Sequence, residues 1–105
     1  AVRDLLDGRM APGEEAWIRV RVTSRPAVRG LHGLRTRKAG PARFIEFHLI
    51  VDKAMTVADA HQISEDLETE IMEHLPASHV VVHVEPCDDA KCKPVCLTGC
   101  LVKKP

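Results

Sequence analysis

The clearest pattern in the chain is alternation. From Ala42 to Asp52, apolar and polar positions alternate so that Ile45, Phe47, Leu49 and Val51 fall on one face of a strand, and Glu46, His48, Ile50 and Asp52 on the other. From His79 to Glu85 the same period puts Val80, Val82 and Val84 on one face and His79, Val81, His83 and Glu85 on the opposite one. Val28 to Arg37 also reads as a strand. It is joined to Ala42–Asp52 through Lys38-Ala39-Gly40-Pro41, whose glycine and proline mark the turn of a hairpin. Between the second and third strands the period becomes helical: Val57, Ala60, Ser64, Leu67, Ile71 and Leu75 recur at helix spacing. Thr56 with Asp59 forms a capping-box-like start, and Pro76 a stop.

The region before the hairpin supports two readings. Pro12 followed by Glu14 and Glu15 suits the first turn of a helix. Yet Ile18-Arg19-Val20-Arg21-Val22-Thr23 alternates like a strand and is β-branched. A helix is the expectation, ending near Arg25 because Pro26 disfavours continuation. Ala1 to Met10 carries Val2, Leu5 and Leu6 at helical spacing. The chain then divides into a lead-in linker helix (1–12), a folded unit (13–86) and a cysteine-bearing tail (87–105), without internal repeats. The order helix, strand, strand, helix, strand predicts an α+β two-layer sandwich with helices on one face of a single sheet, an open ferredoxin-like layout. A right-handed crossover through the second helix would make the second and third strands parallel and adjacent.

Length and charge narrow the function. A chain of 105 residues fits one domain, and such a domain buries only about two-thirds of the surface its unfolded chain exposes, so metal or partner surfaces matter to its stability. Fifteen basic residues balance fifteen acidic ones, which removes the electrostatic argument for nucleic acid or an anionic membrane as the main partner. The basic residues Arg29, Arg35, Arg37, Lys38 and Arg43 read as a solvated, guarded strand edge. No apolar run approaches the roughly 20 residues of a membrane-spanning helix, and no signal peptide is evident. The expectation is a soluble piece that does not insert in a membrane, and a start at Ala1 without Met suggests a fragment.

Six histidines and four cysteines change the picture, because without a sign of an oxidising compartment metal ligation comes ahead of disulfides. If the helices cover the Ile45 face, His48, His83 and Glu85 project together from the uncovered face. Two imidazoles and a carboxylate suit zinc. His32 stands beside glycines that would permit close backbone approach. His61, one turn after Val57 and on or beside the buried stripe, is open to two readings, a ligand or a hydrogen-bonded core histidine. His74 and His79 read as solvated, with His74 complementing a helix dipole. In the tail, Cys92, Cys96 and Cys100 recur every four residues and Cys87 precedes them by five. A helix there would align thiolates for a soft metal, although Pro94 and Gly99 oppose a long one. No Cys-x-x-Cys pair and no His-Glu-x-x-His motif is present, which argues against a thiol redox protein or a zinc hydrolase. A stand-alone metal chaperone or metalloregulatory dimer remains an alternative.

Several ordered segments together resemble the C-terminal domain of the cation diffusion facilitator family. They are Gly30-Leu31-His32-Gly33-Leu34-Arg35-Thr36-Arg37, Phe44-Ile45-Glu46-Phe47-His48, Val51-Asp52-Lys53-Ala54-Met55-Thr56-Val57-Ala58-Asp59-Ala60-His61 and His83-Val84-Glu85-Pro86. The resemblance covers roughly residues 5 to 87. It implies a metallochaperone-like fold on the cytosolic side of a proton-driven metal exporter, and a V-shaped homodimer whose closure is linked to metal occupancy. It also implies metal-ligand roles for His32, His48, His61, His83 and Glu85, with some ligands supplied across the dimer. The implied ion is divalent, zinc first, with Cd2+, Co2+, Fe2+ or Mn2+ as alternatives, and the implied partner is the transporter's own transmembrane domain. Glu85 stands where better-known members carry an aspartate, and Gly33 where some carry one.

Overall fold

The structure, a computed structural model, describes residues 8–87. Its elements run α1 (Pro12–Thr23), β1 (Val28–Ala39), β2 (Ala42–Val51), α2 (Val57–His74) and β3 (Ser78–Pro86). The sheet has the order β1-β2-β3, antiparallel between β1 and β2 and parallel between β2 and β3. This is the expected α+β sandwich, and the long connection through α2 is what allows β2 and β3 to lie parallel.

Ile45, Phe47 and Leu49 of β2 are fully buried and form the floor of the core. Over them lie Ile18 and Val22 of α1, and Ile63, Leu67 and Ile71 of α2. The strand-like alternation in α1 gives way to packing, because Ile18 and Val22 stand four apart on one helical face while Val20, between them, is exposed. Arg21 binds Glu70 of α2, and Arg25 reaches Asp66, so the two helices are also linked along their outer rims. In α2 the Thr56 side chain accepts from the Asp59 N–H at 3.1 Å, satisfying one of the free donors at the helix start. Ala60, Ile63, Ser64, Leu67 and Ile71 form the buried stripe. Val57, expected to begin that stripe, is instead 86% exposed at the helix tip, where nothing packs over it.

Gly40 turns the β1–β2 hairpin at a φ of 58°, a left-handed conformation that glycine adopts without a Cβ penalty. The segment entering α1 is not a helix over residues 8–11. Gly8 is committed to an antiparallel bridge with Lys38, whose N–H donates to the Gly8 carbonyl at 2.7 Å. Met10 is buried, and its N–H donates to Thr36 Oγ1 at 3.1 Å. Thr36 in turn donates to Glu15, a buried carboxylate that also receives two N–H groups of Arg9. The remainder of the predicted lead-in helix, residues 1–7, lies outside the described residues.

Candidate metal centre

The sheet face opposite the helices carries the chemistry, and a local irregularity in β1 decides which side chains reach it. His32 faces His48 and Arg35 faces Glu46, so Gly33 and Leu34 together oppose Phe47 alone. This two-against-one β-bulge shifts the phase of alternation by one residue. His32 and Arg35, three apart, therefore both stand on the helix-free face, while Leu34 packs against the core. Gly33 sits at the bulge with a φ of 65°.

His32, His48 and His83 occupy one cross-strand row, because His48 pairs in register with His32 on β1 and with His83 on β3. Their imidazoles stack as a ladder, with ring centroids 4.7 Å apart between His32 and His48 and 4.8 Å between His48 and His83. Glu85 stands one row further along β3, paired in register with buried Ile50. Its carboxylate turns back to the row: His32 Nε2 donates to Oε1 at 3.0 Å and His48 Nδ1 donates to Oε2 at 2.5 Å. Those hydrogen bonds, His32's foremost, hold the Glu85 carboxyl below the usual carboxylate range against the opposing effect of burial. An ionised carboxylate only accepts, which fixes both rings as donors.

His32, His48 and Glu85 can each offer one ligand atom, all lying within 4.8 Å of one another. The side chains are half-buried, at 19%, 33% and 35% exposure, so the group is shielded yet open to an ion from solvent. His83 continues the ladder but turns elsewhere. Its Nε2 donates to Glu46 Oε2 at 2.6 Å, and this bond lowers the Glu46 pKa. Glu46 was not among the residues expected at the site, although its position two residues before His48 on the same strand face was a usable signal.

The other expected residues fall apart from this group. His61 is not a core histidine: it is 70% exposed on α2, with Nε2 2.9 Å from Glu65 one turn on. It follows Ala60 by one residue, a rotation of about 100°, which carries it off the buried stripe. Since α2 covers the opposite face of the sheet, His61 cannot meet His32, His48 or Glu85 of its own protomer. His74 and His79 are exposed, as expected, and each also stacks on an aromatic ring. His74 lies on Trp17 with centroids 3.8 Å apart, and His79 on Phe44 at 4.9 Å, where Arg37 also packs over the ring. Cys87 is buried, and its N–H donates to the Val51 carbonyl at 2.7 Å. Cys92, Cys96 and Cys100 lie outside the described residues. No helix among the described residues is long and apolar enough to cross a membrane.

Residues 11–87 match the family described as cation efflux protein, cytoplasmic domain. Among curated proteins, the chain is 41% identical over 86 residues to the cation-efflux pump FieF of Pectobacterium atrosepticum, covering 82% of this chain and 29% of that protein. It is 40% identical over 87 residues to FieF of Escherichia fergusonii, again covering 29% of the relative. The chain thus spans less than a third of the length of these relatives. Among solved structures, the Zn form of CzrB superposes with a TM-score of 0.72 at 33% identity, over 84% of this chain and 99% of that one. The metal-bound C-terminal domain of the CzcD transporter from Thermotoga maritima superposes with a TM-score of 0.63 at 32% identity, over 73% of this chain and 94% of the other.

Proposed function

Because this chain belongs to the family of cation efflux protein cytoplasmic domains, we propose that it is the metal-sensing regulatory domain of a divalent cation exporter, with zinc as its first ion. The observation that carries the reading is the convergence of His32, His48 and Glu85 on the helix-free sheet face. Zinc binds imidazole nitrogen and carboxylate oxygen at about 2.0–2.2 Å, which sets tetrahedral ligand atoms roughly 3.3 Å apart. The ring nitrogens already lie 3.0 and 2.5 Å from the Glu85 oxygens. A slight opening would admit the ion in place of the two hydrogen bonds, each ring moving its proton to its other nitrogen or releasing it to water so that the facing lone pair is free. The donor set is equally open to Cd2+, Co2+, Fe2+ or Mn2+, since ligand type narrows the choice without closing it.

Two imidazoles and a carboxylate leave one position of a tetrahedral shell to be filled. A second copy of the chain supplies the remaining contacts, a reading supported by the family match and by the placement of His61. That histidine is exposed and cut off from the cluster of its own protomer, so any ligand role it has is played towards a partner. His83, with Glu46 beside it, provides a further donor on the same ladder. An ion held by both protomers converts binding energy into a preferred arrangement of the pair. In the full-length protein the transmembrane domain would feel that preference, and this domain by itself would transport nothing.

Zinc titration followed by sedimentation tests the reading. The expected outcome is metal binding that shifts the domain towards dimer. A strictly monomeric protein at saturating zinc would remove the shared-ion reading.

A further inference from the structure

The basic residues expected to guard a strand edge divide into two groups. Arg29 pairs with Asp52 at 3.1 Å and Arg43 with Glu14 at 2.8 Å, so the fold itself neutralises both. Arg35 and Arg37 stand instead on the helix-free face, in the rows that follow the histidine ladder towards the hairpin, opposite Glu46 and Phe44. Arg9 joins them from the segment that enters α1. That segment is fixed as a wall beside the sheet: the Lys38 N–H donates to the Gly8 carbonyl at 2.7 Å, the Met10 N–H donates to Thr36 Oγ1 at 3.1 Å, and Arg9 donates two N–H groups to Glu15. The floor is fixed too, because Phe44 carries Arg37 at 4.3 Å from its ring centroid and His79 stacked at 4.9 Å. Wall and floor bound an open cleft of about 550 Å³, a size that suits a small-molecule site.

Charge gives the cleft its chemistry. Arg9, Arg35 and Arg37 line it against a single carboxylate, Glu46, whose Oε2 already accepts from His83 at 2.6 Å. The buried Glu15 is likewise taken up, by Arg9 and Thr36. Arg35 forms no ion pair among the described residues. A guanidinium offers a planar fork of N–H donors that matches two oxygens of a phosphate or carboxylate, and forks arriving from separate segments grip an anion that carries more than one such group. Val81, 53% exposed on the β3 side of the cleft, adds apolar contact for a carbon skeleton. We propose that this cleft binds a small multivalent oxyanion, a phosphate- or carboxylate-bearing metabolite, held by Arg35 and Arg37 of the sheet and Arg9 of the entering segment. The site is distinct from the histidine cluster and does not rest on the metal reading. An anion bridging Arg9 to Arg35 ties the segment leading into α1 to the sheet face that bears the ladder.

The test titrates the full, metal-free chain, labelled with 15N, with pyrophosphate and separately with citrate. Salt is kept at about 0.15 M so that loose attraction to exposed arginines is screened. The expected response is saturable, with amide shifts centred on Gly8, Arg9, Arg35, Arg37 and Val81. Tighter binding of pyrophosphate assigns the site to phosphate compounds, and tighter binding of citrate to polycarboxylates. R35Q and R37Q are each expected to weaken the preferred anion about fivefold or more, as loss of a charge-assisted contact requires. R29Q removes the same charge outside the cleft and should change affinity by less than about twofold. Losses as large in R29Q would reduce the effect to net charge and overturn the proposal. So would the absence of saturation by either anion up to about 10 mM, weaker than any specific site needs. If R37Q loses its fold through the Phe44 contact, R35Q, which forms no ion pair to lose, decides alone. Zinc binding is read in a separate titration, so failure of the cleft leaves the metal reading standing.

Discussion

His48 and His83 stand side by side in the parallel register of β2 and β3, with ring centroids 4.8 Å apart, yet their nitrogens answer to different carboxylates. His48 donates to Glu85 and His83 to Glu46. Neighbouring positions on one face are thereby divided between the central cluster and its flank. The H48A variant is expected to lose at least tenfold in zinc affinity in calorimetric titration, about 1.4 kcal/mol. H83A should lose affinity too, but mainly in any weaker second binding step. Identical titrations for the two variants would show that the ladder acts as one undivided site.

Glu85 links the site to acid stability. Its pKa is lowered in the folded state by the His32 bond first and the His48 bond as well. A depressed carboxylate favours folding above its unfolded pKa and loses that contribution as pH falls through the lower folded value. Glu15, Glu46 and Asp52 are lowered too, so the metal-free domain should lose stability as the solution is acidified below the carboxylate range. E85Q removes one part of that slope. Urea midpoints should differ between E85Q and the unaltered domain at pH 7 and draw together as pH falls below the usual carboxylate range. A gap that stays constant would place the effect of Glu85 outside its charge.

Trp17 is the one tryptophan of the chain and lies against His74. This contact joins α1 to the end of α2, in the helix layer on the sheet face opposite the histidine ladder. H74A is expected to lower stability by about 0.5–1.5 kcal/mol, as for other stacked ring pairs, and to change Trp17 fluorescence. Zinc affinity should stay within twofold of the unaltered domain. A larger loss would show that the helix layer and the ladder are coupled.

The cysteines of the tail are tested by cutting after Cys87, which preserves its buried side chain and its bond to Val51. Under reducing conditions the intact chain is expected to bind more cadmium than the shortened one and to show thiolate charge-transfer absorption that the cut abolishes. Equal stoichiometry without that absorption would make Cys92, Cys96 and Cys100 spectators.

What sequence reasoning saw and missed follows from which periods were unbroken. β2 and β3 alternate without interruption, and the common face of His48, His83 and Glu85 was readable from period two alone. In β1 the same period fails at Gly33. Strict alternation would put His32 and Arg35 on opposite faces, and only the bulge brings them together. A glycine inside a strand was the available hint, but sequence does not say by how much it shifts the register. The core reading of His61 fails because it relies on Val57 as the top of the buried stripe, whereas the helix tip is open. The Glu15 network was invisible for another reason: Arg9, Glu15 and Thr36 come from three segments that only tertiary packing unites.

The hydrogen bond between His32 and Glu85 spans 53 positions of chain. The hairpin that brings His32 to His48 is local and can form early, but the carboxylate arrives only after α2 has docked and β3 has joined the sheet. During synthesis the last donor of the cluster is thus the last to emerge. A nascent or misassembled domain offers a pair of imidazoles without their anion, a poor trap for a divalent ion. Under the proposed metal role, an ion would be retained by chains whose sheet is complete and would pass over those still in assembly.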